Sequence, residues 1–278
     1  MTTTHTEHTD HADAMTELRT KQQQVWSSGD YNRIAALTVA VNETVVASAE
    51  VAPGDAVLDV ATGTGHAALA AARAGARVTG IDYVPALLDI ARDRAAAERL
   101  DVDFVEAPAE QLPFADETFD AAVSAIGIMF AADHQRAAEE LVRVVRPGGR
   151  IAVASWTRSG FVGGILGIVG RHVSPPPGAQ SPVRWGEEDV VAGLLGDRVE
   201  RVASSVHTVT QRFHDAGAFA DLFLTYYGPT HAAARRLDDT GRAALRADLV
   251  AHAEANARPG ADGLVTDWEY RVVRAIRR

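Results

Sequence analysis

The segment Ala56-Val-Leu-Asp-Val-Ala-Thr-Gly-Thr-Gly-His-Ala-Ala68 constrains the fold more than any other part of this chain. A short apolar run, Ala56–Val60, leads straight into two glycines, and an alanine-rich helical pattern follows to Ala74. The unit then recurs. Gly75 sits where a helix stop belongs, Arg77–Ile81 reads as a second strand, and Pro85 suits the first turn of a second helix. Asp103–Glu106 and Phe119–Ala125 read as a third and a fourth strand. Asp133–Val145 reads as a helix, and Arg150–Trp156 as a fifth strand after Pro147-Gly-Gly149. Strands alternating with helices at this spacing indicate an α/β fold with a parallel, doubly wound sheet.

The flanks are less regular. Residues 1–14 are polar, with His5, His8 and His11 spaced by three, and their composition predicts a disordered tail. On a helix those imidazoles would share one face able to hold a metal, but no metal site is expected from so polar a segment. Residues 15–52 form a helical segment, broken near Ser27-Ser-Gly-Asp30 and closed by Pro53-Gly54. Beyond Trp156 the rhythm is lost: residues 157–186 are rich in Gly and Pro, and Ser174-Pro-Pro-Pro-Gly178 reads as an exposed turn. Residues 199–210 alternate like a strand, 215–257 read as two or three helices, and Gly263–Ala275 as a final strand. The expected organisation is therefore one domain over 53–278, with insertions at 156–198 and 211–260.

Composition removes several kinds of chemistry. The chain has no cysteine, so disulfides, thiolate zinc sites, iron–sulfur clusters and a cysteine nucleophile are impossible. Lys21 is the only lysine among 27 basic residues, which removes Schiff-base chemistry at any other position. A net charge of −10 argues against a nucleic-acid partner. The longest apolar run, Phe161–Gly170, is about half of the roughly 20 residues a spanning helix needs. The expectation is a cytoplasmic protein with no membrane insertion.

Gly63-Thr-Gly65-His-Ala-Ala68 fits G-x-G-x-x-A. Its glycines let backbone approach a ligand, and the helix N-terminus behind them favours a negative group. Asp82, seventeen residues after Gly65, can accept hydrogen bonds from two ribose hydroxyls. Nicotinamide, flavin and S-adenosylmethionine (SAM) proteins share that pattern. Asp59, inside the first strand, suits a cofactor with a cationic end better than a pyrophosphate. The strings Gln111-Leu-Pro-Phe114, Phe119-Asp120 and Leu141-Val-Arg-Val-Val-Arg-Pro-Gly-Gly149 follow in order.

With these motifs over about residues 54–156, the sequence resembles a class I SAM-dependent methyltransferase, of the group containing ubiquinone/menaquinone-biosynthesis-like and other small-molecule enzymes. The resemblance implies a Rossmann-like, seven-stranded, mostly parallel sheet whose last strand is antiparallel. It also implies a helical lid at 15–52 and SAM as cofactor. Asp59, Ala61, Thr62, Gly63 and Gly65 would surround the methionine part. Asp82 would bind the ribose, and Tyr83 would pack on the adenine. The stretch Ala107–Glu110, including Ala109 and Glu110, would hold the adenine, and Ser124 would lie beneath the sulfonium. One position departs: family members often carry an aspartate where Pro108 stands, so the adenine amino contact has to come from Glu110 or Gln111, or is missing.

Methyl transfer is an in-line displacement that mainly requires positioning of the acceptor, helped by a base when a proton must leave. His134, just after the fourth strand, is the preferred base, because parallel sheets place ligands at strand carboxyl ends. The competing reading makes His134 a first-turn helix residue capped by Asp133. His66 either touches the cofactor or faces solvent, and His207 reads as structural. Trp26, Tyr31, Trp156, Phe161, Trp185, Phe219, Phe223, Tyr226 and Tyr227 supply aromatic surface for a lipophilic or aromatic acceptor. Phe219, Phe223 and Tyr226, at i, i+4 and i+7, also mark one core-facing helix face. The expected activity is methyl transfer to a hydroxyl or carbon of a small organic molecule, and homodimerisation is compatible with the sequence. Two alternatives remain: an NAD(P)-dependent oxidoreductase, disfavoured by Asp59 and by the missing Tyr-x-x-x-Lys pair, and a non-catalytic SAM-binding protein, suggested by Pro108.

Overall fold

The computed structural model describes residues 3–278, with side chains from Met15 onward. Helix α1 spans Thr3–Trp26, α2 Tyr31–Ala35 and α3 Val39–Ser48. No Gly or Pro interrupts α1, and its backbone is helical from Thr3, where the sequence reading placed a disordered tail. The side chains of His5, His8 and His11 lie outside the described residues.

Five strands then alternate with three helices: β1 Ala56–Val60, α4 His66–Arg73, β2 Arg77–Asp82, α5 Pro85–Glu98, β3 Val102–Glu106, β4 Phe119–Ala125, α6 His134–Val144 and β5 Val145–Trp156. Helix α7 (Phe161–His172), α8 (Glu188–Leu195), β6 (Val199–Phe213), α9 (Ala216–Tyr226), α10 (Gly228–Arg236), α11 (Asp239–Ala255) and β7 (Leu264–Arg277) complete the chain. The seven strands form one sheet in the order β3-β2-β1-β4-β5-β7-β6. β1 to β5 pair in parallel, and β7 enters antiparallel between β5 and β6. Leu58 faces Thr79 of β2 and Ala122 of β4, which fixes the central register.

Val57, Leu58 and Val60 are fully buried, which is why β1 reads as a continuous apolar run. Chain order reverses direction across the sheet at β1 and β4. Right-handed crossovers therefore put α4 and α5 on one face and α6 on the other. Helix α3 packs on α4, β4 and β5 with Val41 and Val45 wholly buried. It is thus part of the helical layer, although the sequence reading grouped it with the 15–52 lid. Among the described residues no helix is long and apolar enough to cross a membrane.

The Gly- and Pro-rich segment 157–186 contains α7, and the turn expected at 174–178 follows that helix. Its glycines serve close packing: a Cβ on Gly163 would stand 2.3 Å from the Thr157 carbonyl oxygen, and one on Gly164 2.3 Å from the His252 ring of α11. Helices α7, α9, α10 and α11 pack on one another into a cap. An aromatic cluster joins that cap to β7: the Trp268 ring lies 5.8 Å from Phe161, 5.7 Å from Phe223, 6.0 Å from Trp156 and 6.3 Å from Phe213.

Candidate active site

The reversal point between β1 and β4 opens a crevice at the strand carboxyl ends, where open α/β sheets bind ligands. The crevice is a cleft of roughly 770 Å³. The loop after β1 forms its floor, with Ala61 at φ 55° and Gly63 at φ 55°. Two carboxylates hold that loop. Asp59 Oδ2 accepts from Thr62 Oγ1 (2.5 Å) and from the Ala68 N–H (2.9 Å), tying the loop to the first turn of α4. Asp82, at the end of β2, accepts from the Gly63 N–H through Oδ2 and from the Val84 N–H through Oδ1, both at 2.9 Å. A carboxylate offers about four lone-pair sites, so Asp82 keeps acceptor capacity for further donors.

Burial pushes both carboxyls up, Asp59 to about 7 and Asp82 to about 6, and the Asp82 charge adds to the rise at Asp59. Carboxyls of an unfolded chain ionise near about 4. These two therefore cost stability progressively as pH rises from there to about 7, the cost being complete above it. A cation bound beside them reverses the balance by favouring the ionised forms. The expected result is that SAM affinity rises as pH goes from about 5.5 to about 7.5, with protons released on binding. Calorimetry in buffers of different ionisation enthalpy checks it: no proton release would mean that the cation does not sit near this pair.

Of the residues singled out from the sequence, Ala61, Thr62, Gly63, Asp82, Tyr83, Ala109 and Glu110 line the cleft. Asp59, Gly65 and Ser124 stand behind its wall. Gly65 (φ 83°) caps α4, and a Cβ there would stand 3.0 Å from the Ala91 Cβ of α5, so helix packing requires this glycine. Ser124 Oγ donates to the Val60 carbonyl (2.7 Å) and accepts from the Ile128 N–H (2.9 Å), fixing the turn after β4. Glu110 Oε1 accepts from the Ala132 N–H at 2.6 Å, anchoring the opposite rim.

His134, favoured from the sequence as a base, stands apart from the cleft. It is wholly buried as the first residue of α6, with Asp133 capping through its contact to the Arg136 N–H, and its ring packs 5.9 Å from Trp185. It lines neither the cleft nor the chamber described below. Burial and the charge of Arg184 hold its imidazole down at about 4.

Three features escaped the sequence reading. Gly127 is one: a Cβ there would stand 2.5 Å from the Ala61 oxygen, so only glycine lets the turns after β1 and β4 meet. Another is the state of His66. Its Nδ1 lies 3.0 Å from a guanidinium nitrogen of Arg94, which can only donate, so the ring proton sits on Nε2 and faces no protein partner. The third is a narrow apolar pocket beside the cleft, which shares Trp26, Tyr31, Thr38, Ile126 and Phe130 with it. Trp156, Val162, Phe223, Tyr227 and Trp268 are among the residues that close it.

Comparison with known proteins decides among the nucleotide-cofactor readings. Residues 58–153 match a family model described as a methyltransferase domain. A demethylmenaquinone methyltransferase of Deinococcus radiodurans is 39% identical over 127 residues, 44% of this chain and 53% of that one. The chain belongs to the class I SAM-dependent methyltransferases. An uncharacterized protein of Mycobacterium tuberculosis is 42% identical to this methyltransferase over 266 residues, covering 94% of this chain and 96% of that one. The YcgJ protein from Bacillus subtilis shares the fold, with a TM-score of 0.59 at 16% identity over 86% of this chain and 98% of that one.

SAM is accordingly the cofactor of this family member. The residues present fit it: a deep cleft, acceptors at Asp82, and carboxylates that burial leaves receptive to positive charge. When bound, SAM supplies a methyl group already activated on a cationic sulfur.

Proposed function

We propose that this methyltransferase transfers the SAM methyl group to an oxygen or carbon of a small, flat, lipophilic molecule. The observation that carries this reading is the aromatic chamber, which shares a wall with the cofactor cleft and lies between the α1–α2 junction and the cap. Such a compartment buries rings by apolar contact and edge-to-face packing.

In this reading Asp82 receives the ribose hydroxyls, and Tyr83 and Ala109 form the walls of the adenine site. Glu110 takes the adenine amino group, a role Pro108 cannot fill. The turn Ala61–Gly63 holds the methionine part. Asp59, Gly65 and Ser124 act as positioning residues, through the loop, the helix and the turn they fix. Residues from the end of α1 through α2, with Trp26 and Tyr31, cover the site, while α3 stays in the helical layer against the sheet. These residues bind, orient and exclude water; acceleration comes from holding the acceptor in line with the methyl group.

Calorimetric titration with SAM and with its demethylated product tests the cofactor half, and transfer of labelled methyl to a panel of phenols, quinols and polar amines tests the rest. Binding of both cofactors and labelling of the flat aromatic acceptors are expected. SAM binding with no labelling of any acceptor would overturn the catalytic reading.

A further inference from the structure

The chamber holds no base. Among the described residues its walls contain no carboxylate, imidazole, lysine or arginine, and His134, the one histidine favoured from sequence, packs elsewhere. Hydroxyl groups enter only from Tyr31, Thr38 and Tyr227. Thr38 Oγ1 is engaged with the Ala35 carbonyl at 3.0 Å. Burial, with the Asp82 charge on the cleft side, pushes Tyr31 up to about 12; burial, with Tyr31 beside it, pushes Tyr227 up as well. Both phenols are donors at neutral pH, and neither can take a proton.

Tyr227 is 4% exposed, and its Oη has no hydrogen-bond partner among the described residues. Leaving a buried hydroxyl unpaired costs on the order of 1–3 kcal/mol, so this oxygen is best explained by a partner that arrives with the substrate. The charge that the chamber favours follows from its neighbour. A sulfonium in the adjoining cleft opposes an ammonium group in so apolar a space and favours an anion.

On the reading given under Proposed function, we propose that the acceptor is an intrinsically acidic phenol or enol that reacts as its own oxyanion, with Tyr227 Oη donating to the reacting oxygen. The proton leaves to water when the acceptor ionises, before transfer. An electron pair of the acceptor oxygen then forms the new carbon–oxygen bond as the methyl–sulfur bond breaks, and the latter's electron pair stays on sulfur. Both charges vanish together, leaving a neutral ether and a neutral thioether. Tyr227 is a binding residue in this scheme and moves no proton.

The test uses 4-nitrophenol, whose ionised form is coloured, added to the full-length protein loaded with sinefungin or with the demethylated product of SAM. Sinefungin carries an amine charge near the place of the sulfonium and cannot transfer a methyl group. The bound probe is expected to half-ionise about one pH unit or more below the free phenol with sinefungin, and by clearly less with the neutral product. Tyr227→Phe is expected to weaken probe binding about tenfold, the equivalent of one such hydrogen bond, and to leave sinefungin affinity within about twofold. A probe that binds only in its neutral form, fails to bind at millimolar concentration, or is indifferent to Tyr227→Phe overturns the proposal. With SAM, the inflection of kcat/KM against pH should follow the pKa of each ring-substituted phenol. An inflection fixed across the series would reveal a protein base and also overturn it. Loss of sinefungin and SAM binding altogether would instead fault the cofactor reading beneath it.

Discussion

Replacing Asp82 with alanine is expected to weaken SAM binding by about tenfold to a hundredfold, measured by calorimetry. The carboxylate does two things at once in the structure. It accepts the Gly63 and Val84 N–H groups, which fixes the glycine turn against the end of β2. It also keeps unused lone pairs at the rim of the cleft, available to ribose hydroxyls. Each hydrogen bond to a charged group is worth roughly 1.5–3 kcal/mol, so losing the ribose contacts alone accounts for the expected range. Asp82→Asn should be nearly as damaging, because its NH2 group has to face one of the two backbone donors. Folding is a separable readout: the buried carboxyl is pushed up to about 6, so its removal relieves a charge that burial disfavours at neutral pH. Undiminished SAM affinity in a folded Asp82→Ala protein would place the ribose somewhere else.

The largest stability effect is expected at Trp268. Its side chain is 1% exposed, its Nε1 donates to Thr266 Oγ1 at 2.9 Å, and its ring touches β5, β6, α7 and α9 through Trp156, Phe213, Phe161 and Phe223. Truncation of so large a buried ring costs about 3–5 kcal/mol, so Trp268→Ala should lower the unfolding free energy by that amount in urea. Trp268→Phe should recover much of the loss. Trp268 borders the chamber and not the cleft, so SAM affinity of the folded variant should stay within about twofold. A cost below about 1 kcal/mol would show that the cap does not depend on this cluster.

β1, β2, β4 and the Ile151–Trp156 part of β5 were legible because each is a short, largely buried run, and parallel burial removes the alternation that would otherwise blur it; β3, at the sheet edge, has no buried residue. Asp82 and the glycine turn were legible for a related reason, since backbone that must approach a ligand needs residues that permit it. Helix α7 was hidden because Gly163, Gly164, Gly167 and Gly170 lower helix propensity; close contacts demand only the first two, Gly163 against the nearby Thr157 and Gly164 against His252, far along the chain. His134 stands apart from the cleft for a directional reason. Its position after β4 brings its backbone near the crevice, but the cap at Asp133 starts α6 so that the ring turns into the protein, against Trp185. Asp59 sits where a cation was expected to meet it, yet it bonds to Thr62 and Ala68 behind the loop. Tyr227 was legible as aromatic surface for an acceptor, but not as a free donor, because an unpaired hydroxyl is defined only by what surrounds it.

Trp26, Tyr31 and Phe130 belong to both compartments, and their rings touch one another through Trp26 at 5.3 Å and 4.7 Å. A partition held in common ties two properties that other binding proteins vary separately. Any drift in these side chains that reshapes the acceptor space also alters the grip on the methyl donor. Lineages of this enzyme that adopt new acceptors are therefore expected to change first at the far wall, at Val162, Phe223 and Tyr227, and to leave the partition alone.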